Sequence, residues 1–331
     1  MAQGHLSQTG KKIAPGLRPH GFPMPLSKKI KFISEYAVFL FAAAILRALP
    51  WNTARSFGGA LGRVASHVVY KRFRLTIDNI QKAFPSKTPA ESVEIARQSW
   101  ANMGVTAAEF AHASLMTSEQ LKKICRVSNT ARFEAHLAQG KGAIVHLAHC
   151  GNWEIAGLAV QAICGKVAAV ARHIRNPFVD AWMDNARRHN GMEIVGHRNP
   201  FFSCAKWLKK GKVLGILMDQ NMPYGEVFLP FFGRMASTTP LTALLALKTG
   251  VPVFPIRIYR ENDLICAEFE DPIYPEEGYS DEKVYNLVAA LNARIEAWIT
   301  KEPGSWLWAH NRWKRESQAP AQTKTAAGLG A

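Results

Sequence analysis

Gly142-Ala-Ile-Val-His-Leu-Ala148, followed at once by His149-Cys-Gly-Asn-Trp-Glu154, is the stretch of this chain whose reading decides the fold. The first seven residues are a short apolar run, which predicts a buried strand. Asn152 is a favoured N-cap residue, and 152–164 carries a helical pattern with Glu154 in its first turn, where a carboxylate is stabilised. Strand, glycine-containing turn and helix make one βα unit.

Working outward, the alternation repeats. Strands are predicted over 167–171, 192–196 and 213–218, and helices over Pro177–His189, 200–210 and 239–249. Two further strands, 253–259 and Leu264–Phe269, are separated only by Arg260-Glu-Asn-Asp263 and read as a hairpin, after which 281–300 is a long helix. Upstream, 51–125 reads as helical, with helix formers at helical spacing over 90–113. The pattern predicts an α/β fold: a mixed central sheet, not purely parallel, flanked by helices.

Composition narrows the function. With 331 residues and 48% hydrophobic content the chain can bury a full core. The net charge of +16 calls for a polyanionic partner: nucleic acid, anionic lipid headgroups or an acidic carrier protein. No acidic residue occurs in 1–34, where Lys11, Lys12, Arg18, Lys28, Lys29 and Lys31 lie, and the apolar run Tyr36-Ala-Val-Phe-Leu-Phe-Ala-Ala-Ala-Ile-Leu46 follows. A basic flank abutting an apolar segment is a membrane signature with its positive side toward the cytoplasm. That run reaches roughly 16 Å as a helix against a hydrocarbon core of about 30 Å, so it reads either as a short span with snorkelling flanks or as a helix lying in the interface. The expected organisation is a basic flexible tail over 1–31, a membrane-anchoring helix over 32–50, a catalytic domain over 51–316 and a disordered tail over 317–331. Five scattered cysteines without CxxC spacing argue against a disulfide framework or a zinc site, and no metal or cofactor is expected.

His149 falls at the carboxyl end of the first strand, where sites in α/β folds gather. On a regular helix a five-residue separation sets side chains about 140° apart, so His149 and Glu154 meet only if Gly151 turns the chain between them. Glu154 on one ring nitrogen would fix the tautomer while the other nitrogen takes a hydroxyl proton. Cys150 as a nucleophile is the rival reading.

The His149-x4-Glu154 spacing within Ala148-His-Cys-Gly-Asn-Trp-Glu154 resembles the signature of the bacterial lipid A late acyltransferases (lauroyl/myristoyl type), within the lysophospholipid-acyltransferase superfamily. Three further blocks carry the resemblance: Val170-Ala-Arg-His-Ile-Arg-Asn-Pro177, Gly215-Ile-Leu-Met-Asp-Gln-Asn221 with the Pro230-Phe-Phe-Gly233 stretch after it, and Trp306-Leu-Trp-Ala-His-Asn-Arg-Trp-Lys314. The chain departs from the common form at Ser305-Trp306, where Gln-Tyr is usual, and at Asn311. The resemblance implies a glycerolipid-acyltransferase-like fold and transfer of a fatty acyl chain from a thioester on acyl carrier protein to a hydroxyl of an anionic lipid A precursor. It places that chemistry at the cytoplasmic face of a bacterial inner membrane. His149 and Glu154 are then the expected catalytic pair, with Gly151, Asn152, Arg172, Asp219 and Gln220 contacting substrate. The competing readings are acylation of another glycolipid or a lysophospholipid, and, from a different class, a basic nucleic-acid-binding protein or membrane scaffold. Against nucleic acid, no docking motif or RNA-type aromatic signature is present.

Overall fold

Two prolines punctuate the N-terminal helices. α1 (Leu26–Ala48) begins after Pro25 and α2 (Trp51–Val68) after Pro50, since proline's missing N–H costs nothing at a helix start. The computed structural model describes residues 24–195, 200–223 and 225–320. Most of the tail expected over 1–31 therefore lies outside the described residues, as does the tail from 321 onward, whereas Leu26 to Lys31 already belong to α1.

The helical layer continues with α3 (Tyr70–Ala83) and α4 (Pro89–Ala113), the latter opened by a reciprocal Thr88/Glu91 capping box. Then follow α5 (Ser118–Ile124), β1 (Cys125–Ser128), α6 (Ala131–Leu137), β2 (Ala143–Leu147), α7 (Trp153–Cys164), β3 (Val167–Val170), α8 (Pro177–His189), β4 (Glu193–Val195), α9 (Pro200–Leu208) and β5 (Val213–Leu217). The chain closes with β6 (Val227–Phe231), β7 (Arg234–Thr238), α10 (Leu241–Thr249), β8 (Val253–Glu261), β9 (Leu264–Phe269) and α11 (Asp281–Lys301), then two short 3-10 turns at Pro303–Ser305 and Glu316–Gln318.

Seven strands form one sheet in the order β1-β9-β8-β2-β5-β3-β4, parallel except between β8 and β9. The sheet is thus mixed and flanked by helices. The β8–β9 hairpin turns on Asn262 and Asp263, both in the left-handed region (φ 47° and 67°), as a two-residue turn between twisted strands requires. All of β2 is buried, because helices cover both faces. Ala143, Val145 and Leu147 pack with Ile155 and Leu158 of α7 on one side, while Ile144 packs with Leu291 and Ile295 of α11 on the other. The period-2 alternation of a strand produces this division.

Two elements escaped the sequence pattern. β1 begins where the helical run was expected to end, and the Phe-rich stretch after Gln220 folds as the β6–β7 hairpin, a separate antiparallel ladder. The apolar segment of the N-terminus is α1, and among the described residues no helix is long and apolar enough to cross a membrane. It nevertheless exposes Val38 (70%) and Phe41 (69%), and α2 exposes Val64 and Val68. α2 meets α4 backbone to backbone: a Cβ added at Gly58 would lie 2.5 Å from the Gly104 carbonyl oxygen, and one at Gly62 2.1 Å from that of Trp100. Any side chain there would separate the two helices.

Candidate active site

β2 and β5 are parallel neighbours in register, with Leu147 opposite Leu217. Two residues further along each strand stand His149 and Asp219. The Asp219 carboxylate is almost wholly buried, and His149 grips it twice: Nδ1–H donates to Oδ1 at 2.7 Å, and the backbone N–H donates to Oδ2 at 2.8 Å. The indole N–H of Trp306 donates to the same Oδ2 at 2.7 Å. Burial alone would raise the Asp219 carboxyl, but the charge of His149, its two hydrogen bonds and that of Trp306 outweigh it and hold the group well below the usual carboxylate range. Nδ1 being engaged, the free lone pair of the ring is on Nε2, where the side-chain amide of Gln220 donates at 3.2 Å. The Trp153 ring closes one side, edge-on at 4.9 Å. The ring remains partly open to solvent, with 17% of the side chain exposed.

The turn that presents His149 is strapped by the C-terminal segment. The Gly151 N–H donates to the Ser305 carbonyl at 3.1 Å, the Leu307 N–H to the His149 carbonyl at 3.1 Å, and Cys150 and Trp306 form an antiparallel bridge. Gly151 sits at φ +54°, and a Cβ there would approach Ile258 Cγ2 to 3.1 Å, so the turn requires glycine. Its carbonyl accepts from Thr106 Oγ1.

These contacts correct three expectations. Glu154 does not pair with His149; it takes a two-point ion pair from Arg187 of α8, Nη2 to Oε1 at 2.6 Å and Nε to Oε2 at 3.0 Å. The reason is geometric: as the second residue of α7, Glu154 projects sideways toward α8, while the turn at Gly151 leaves His149 facing β5. Asn152 is fully buried and committed within the protein, its Oδ1 capping Ile155 N–H and its Nδ2 donating to Glu109. Gly151 is likewise buried with both backbone groups used. Gly151 and Asn152 shape the loop, with these groups engaged inside the protein. The network behind them is extensive: buried Glu109 also binds Arg55 of α2 and Arg260 of β8.

Gln220 stands at Nε2 of His149, whereas Asp219 lies buried behind the ring, its oxygens engaged by His149 and Trp306. Arg172 follows β3 on the same edge of the sheet, exposed, with no hydrogen bond or ion pair among the described residues, and its charge is felt at His310. His310 accepts from the Asn221 N–H at 2.9 Å, and burial pushes its ring down to about 4, the Asp219 charge offsetting only part of that. Arg312 is entirely buried, donating to Ser237 and Thr238 with its guanidinium over the Phe231 ring; burial lowers it to about 10. Burial also drives the Cys150 thiol well above its ordinary value, which disfavours the thiolate that a nucleophile would need. Among the described residues no group of three His, Cys, Asp or Glu side chains could hold a metal ion. Asp219 as the partner of His149, the indole of Trp306 and the Arg187 clamp were missed in the sequence. The first was signalled by equal offsets: His149 and Asp219 each lie just past the end of an apolar strand.

A family model described as bacterial lipid A biosynthesis acyltransferase matches residues 24–315. The phosphatidylinositol mannoside acyltransferase of Mycolicibacterium smegmatis is 24% identical over 297 residues, covering 88% of this chain and 95% of that protein. The lipid A biosynthesis palmitoleoyltransferase of Escherichia coli is 25% identical over 270 residues (80% and 86%), and its lauroyltransferase 23% identical over 275 (80% and 87%). A solved 1-acyl-sn-glycerophosphate acyltransferase from Thermotoga maritima covers 71% of this chain and 97% of its own at 15% identity, with a TM-score of 0.32, too low to carry an argument. With a His–Asp pair at the carboxyl ends of two adjacent parallel strands and a family match across nearly all of its described length, the chain belongs to the bacterial lipid A biosynthesis acyltransferase family and is an acyltransferase.

Proposed function

We propose that the protein moves a fatty acyl chain from a thioester on acyl carrier protein to a hydroxyl of a lipid A precursor, with His149 as general base and Asp219 as the carboxylate that aims it. The observation that carries this reading is the Asp219 Oδ1 contact with His149 Nδ1, which fixes the tautomer and turns the Nε2 lone pair outward. In the reaction the acceptor hydroxyl displaces the Gln220 amide from Nε2. Nε2 takes the hydroxyl proton as the oxygen attacks the thioester carbon. The tetrahedral oxyanion is held by N–H donors, for which the first turn of α7 and the Gln220 amide are available. The C–S bond then breaks and the imidazolium returns its proton to the leaving thiolate. Asp219 stays ionised and stabilises the imidazolium throughout. Arg172, exposed and unpaired beside the site, would meet an anionic headgroup.

The exposed apolar side chains of α1 and α2, next to Lys28, Lys29 and Lys31, suit a helix pair lying in the headgroup region of an anionic membrane. α1 also leans on α8, where Asn176 Nδ2 donates to the Phe32 carbonyl at 2.9 Å, only four residues after Arg172. That contact supports a reading in which α1 faces lipid beside the site. We propose that the protein works at the cytoplasmic face of a bacterial inner membrane.

A second acceptor, phosphatidylinositol mannoside, has one observation in its favour. The mycobacterial relative, named for phosphatidylinositol mannoside, matches as well as those named for lipid A, at 24% against 25% and 23% identity. Purified full-length protein offered acyl carrier protein thioester with each glycolipid, read by mass spectrometry, decides between them. Acylation of lipid A precursor is expected; acylation of neither, with a demonstrably folded enzyme, rejects the reading.

A further inference from the structure

Asp219 is a buried carboxylate with three protein N–H donors, and their distribution is uneven. Among the described residues Oδ2 receives two, from the His149 backbone and the Trp306 indole, while Oδ1 receives the His149 ring alone. The Trp306 ring is itself immobilised. It is 1% exposed, its carbonyl accepts from Ser99 Oγ, and its ring meets Trp308 edge-on at 4.6 Å. The carboxylate is therefore pinned from the far side by a group that does not touch the cleft.

We infer that Trp306 is a positioning residue, whose indole N–H clamps Asp219 Oδ2 so that Oδ1 alone faces the His149 ring and the carboxylate charge is shared away from it. This rests on His149 acting as the base of the proposed reaction. Two consequences follow from removing the N–H while keeping the ring. Asp219 gains rotational freedom, which lowers turnover through loss of aim. The charge formerly drawn toward the indole concentrates on the His149 side and stabilises the imidazolium. A base that protonates more readily is inactive up to a higher pH, so the acid limb of the kcat/KM profile moves upward. Other charged or titratable groups around the pair are His146 and Cys150 from β2 and its turn, His310 and Arg312 from the C-terminal segment, Glu296 of α11 acting on Arg312, and Arg172 after β3 acting on His310. All are retained in the variants below, so the difference reports the indole N–H.

The test replaces tryptophan 306 in the full-length protein with 3-benzothienylalanine, which keeps the bicyclic shape and lacks the N–H, and compares it with Trp306→Phe. The same isostere at Trp308, whose N–H donates to the Pro303 carbonyl, is the control. The expected result is a fall in kcat of about tenfold and an acid limb displaced upward by about half to one pH unit, with the control unmoved. Trp306→Tyr, which restores a donor, should bring the limb back toward the wild-type position. An isostere with wild-type kcat and limb overturns the inference, as does a loss of kcat with the limb in place, which a merely structural role would give. The Nδ1–H resonance of the His149 ring, followed in 15N-histidine-labelled protein, should shift in the isostere. That readout needs no substrate, so it tests the clamp even if the proposed acyl donor or acceptor proves wrong; an unchanged resonance contradicts it.

Discussion

Glu154 and Arg187 are locked together by two hydrogen bonds between α7 and α8, and this contact leaves Asp219 as the carboxylate in reach of His149. A six-residue motif that looks like a catalytic pair along the sequence is divided in space: its histidine faces β5 and its glutamate braces a neighbouring helix.

His146 should make stability acid-sensitive. It is fully buried against the Trp298 ring, and burial pushes it down to about 4, the Asp219 charge and the Leu291 backbone offsetting only part of that. Below its ordinary 6.5 the unfolded chain takes up a proton that the folded one refuses. Stability is thus lost as pH falls from about 6.5 toward 4, by up to roughly 3 kcal/mol. His146→Leu should match or exceed wild-type stability near pH 7 and flatten that part of the profile. Denaturant melts at pH 7 and 5 measure it, and an equal loss in both proteins would rule it out.

Gly151→Ala should destabilise the turn by about 1–2 kcal/mol, because a Cβ at positive φ is strained and meets Ile258. Activity should fall more steeply than Tm, since the turn sets the direction of His149. A variant with unchanged Tm and kcat would show that the turn tolerates a side chain.

How much of this was legible in advance differs between elements. α8 was read to the residue because Asn176 and Pro177 mark its start and an apolar-periodic run follows. The β6–β7 hairpin was not, because Pro230 and the paired phenylalanines mimic a loop with an aromatic wall. At the site, His149, Asp219 and Gln220 were each placed at strand ends. The roles went astray because proximity along the chain favoured Glu154, whereas the pairing with Asp219 depends on the register of β2 with β5, a long-range fact. Trp306 has nothing local in its sequence that points at a carboxylate 87 positions away.

Membrane association should depend on α1. Phe41→Asp and Val38→Asp alter exposed side chains, so folding should be untouched while binding to vesicles containing phosphatidylglycerol drops at least about tenfold, given that burying such a side chain is worth about 1.5–3 kcal/mol. Added salt should weaken wild-type binding by screening the lysines. Sedimentation with vesicles measures both, and unimpaired binding of the double variant would remove α1 from the lipid-facing surface.

Cys150→Ser should stay active within a few-fold, since the thiol is buried and protonated. Steady-state turnover measures it, and a loss as deep as that of His149→Ala would revive a thiol nucleophile.

The most direct measurement is kcat/KM for Asp219→Asn beside Glu154→Gln, with His149→Ala as the floor. An Asn at 219 can present the wrong hydrogen-bonding group to Nδ1, so kcat/KM should fall by about 10³–10⁴, approaching the floor. Glu154→Gln should lower Tm while keeping activity well above it. Near-normal turnover in Asp219→Asn, with Glu154→Gln at the floor, would contradict the pairing of His149 with Asp219 as the working base.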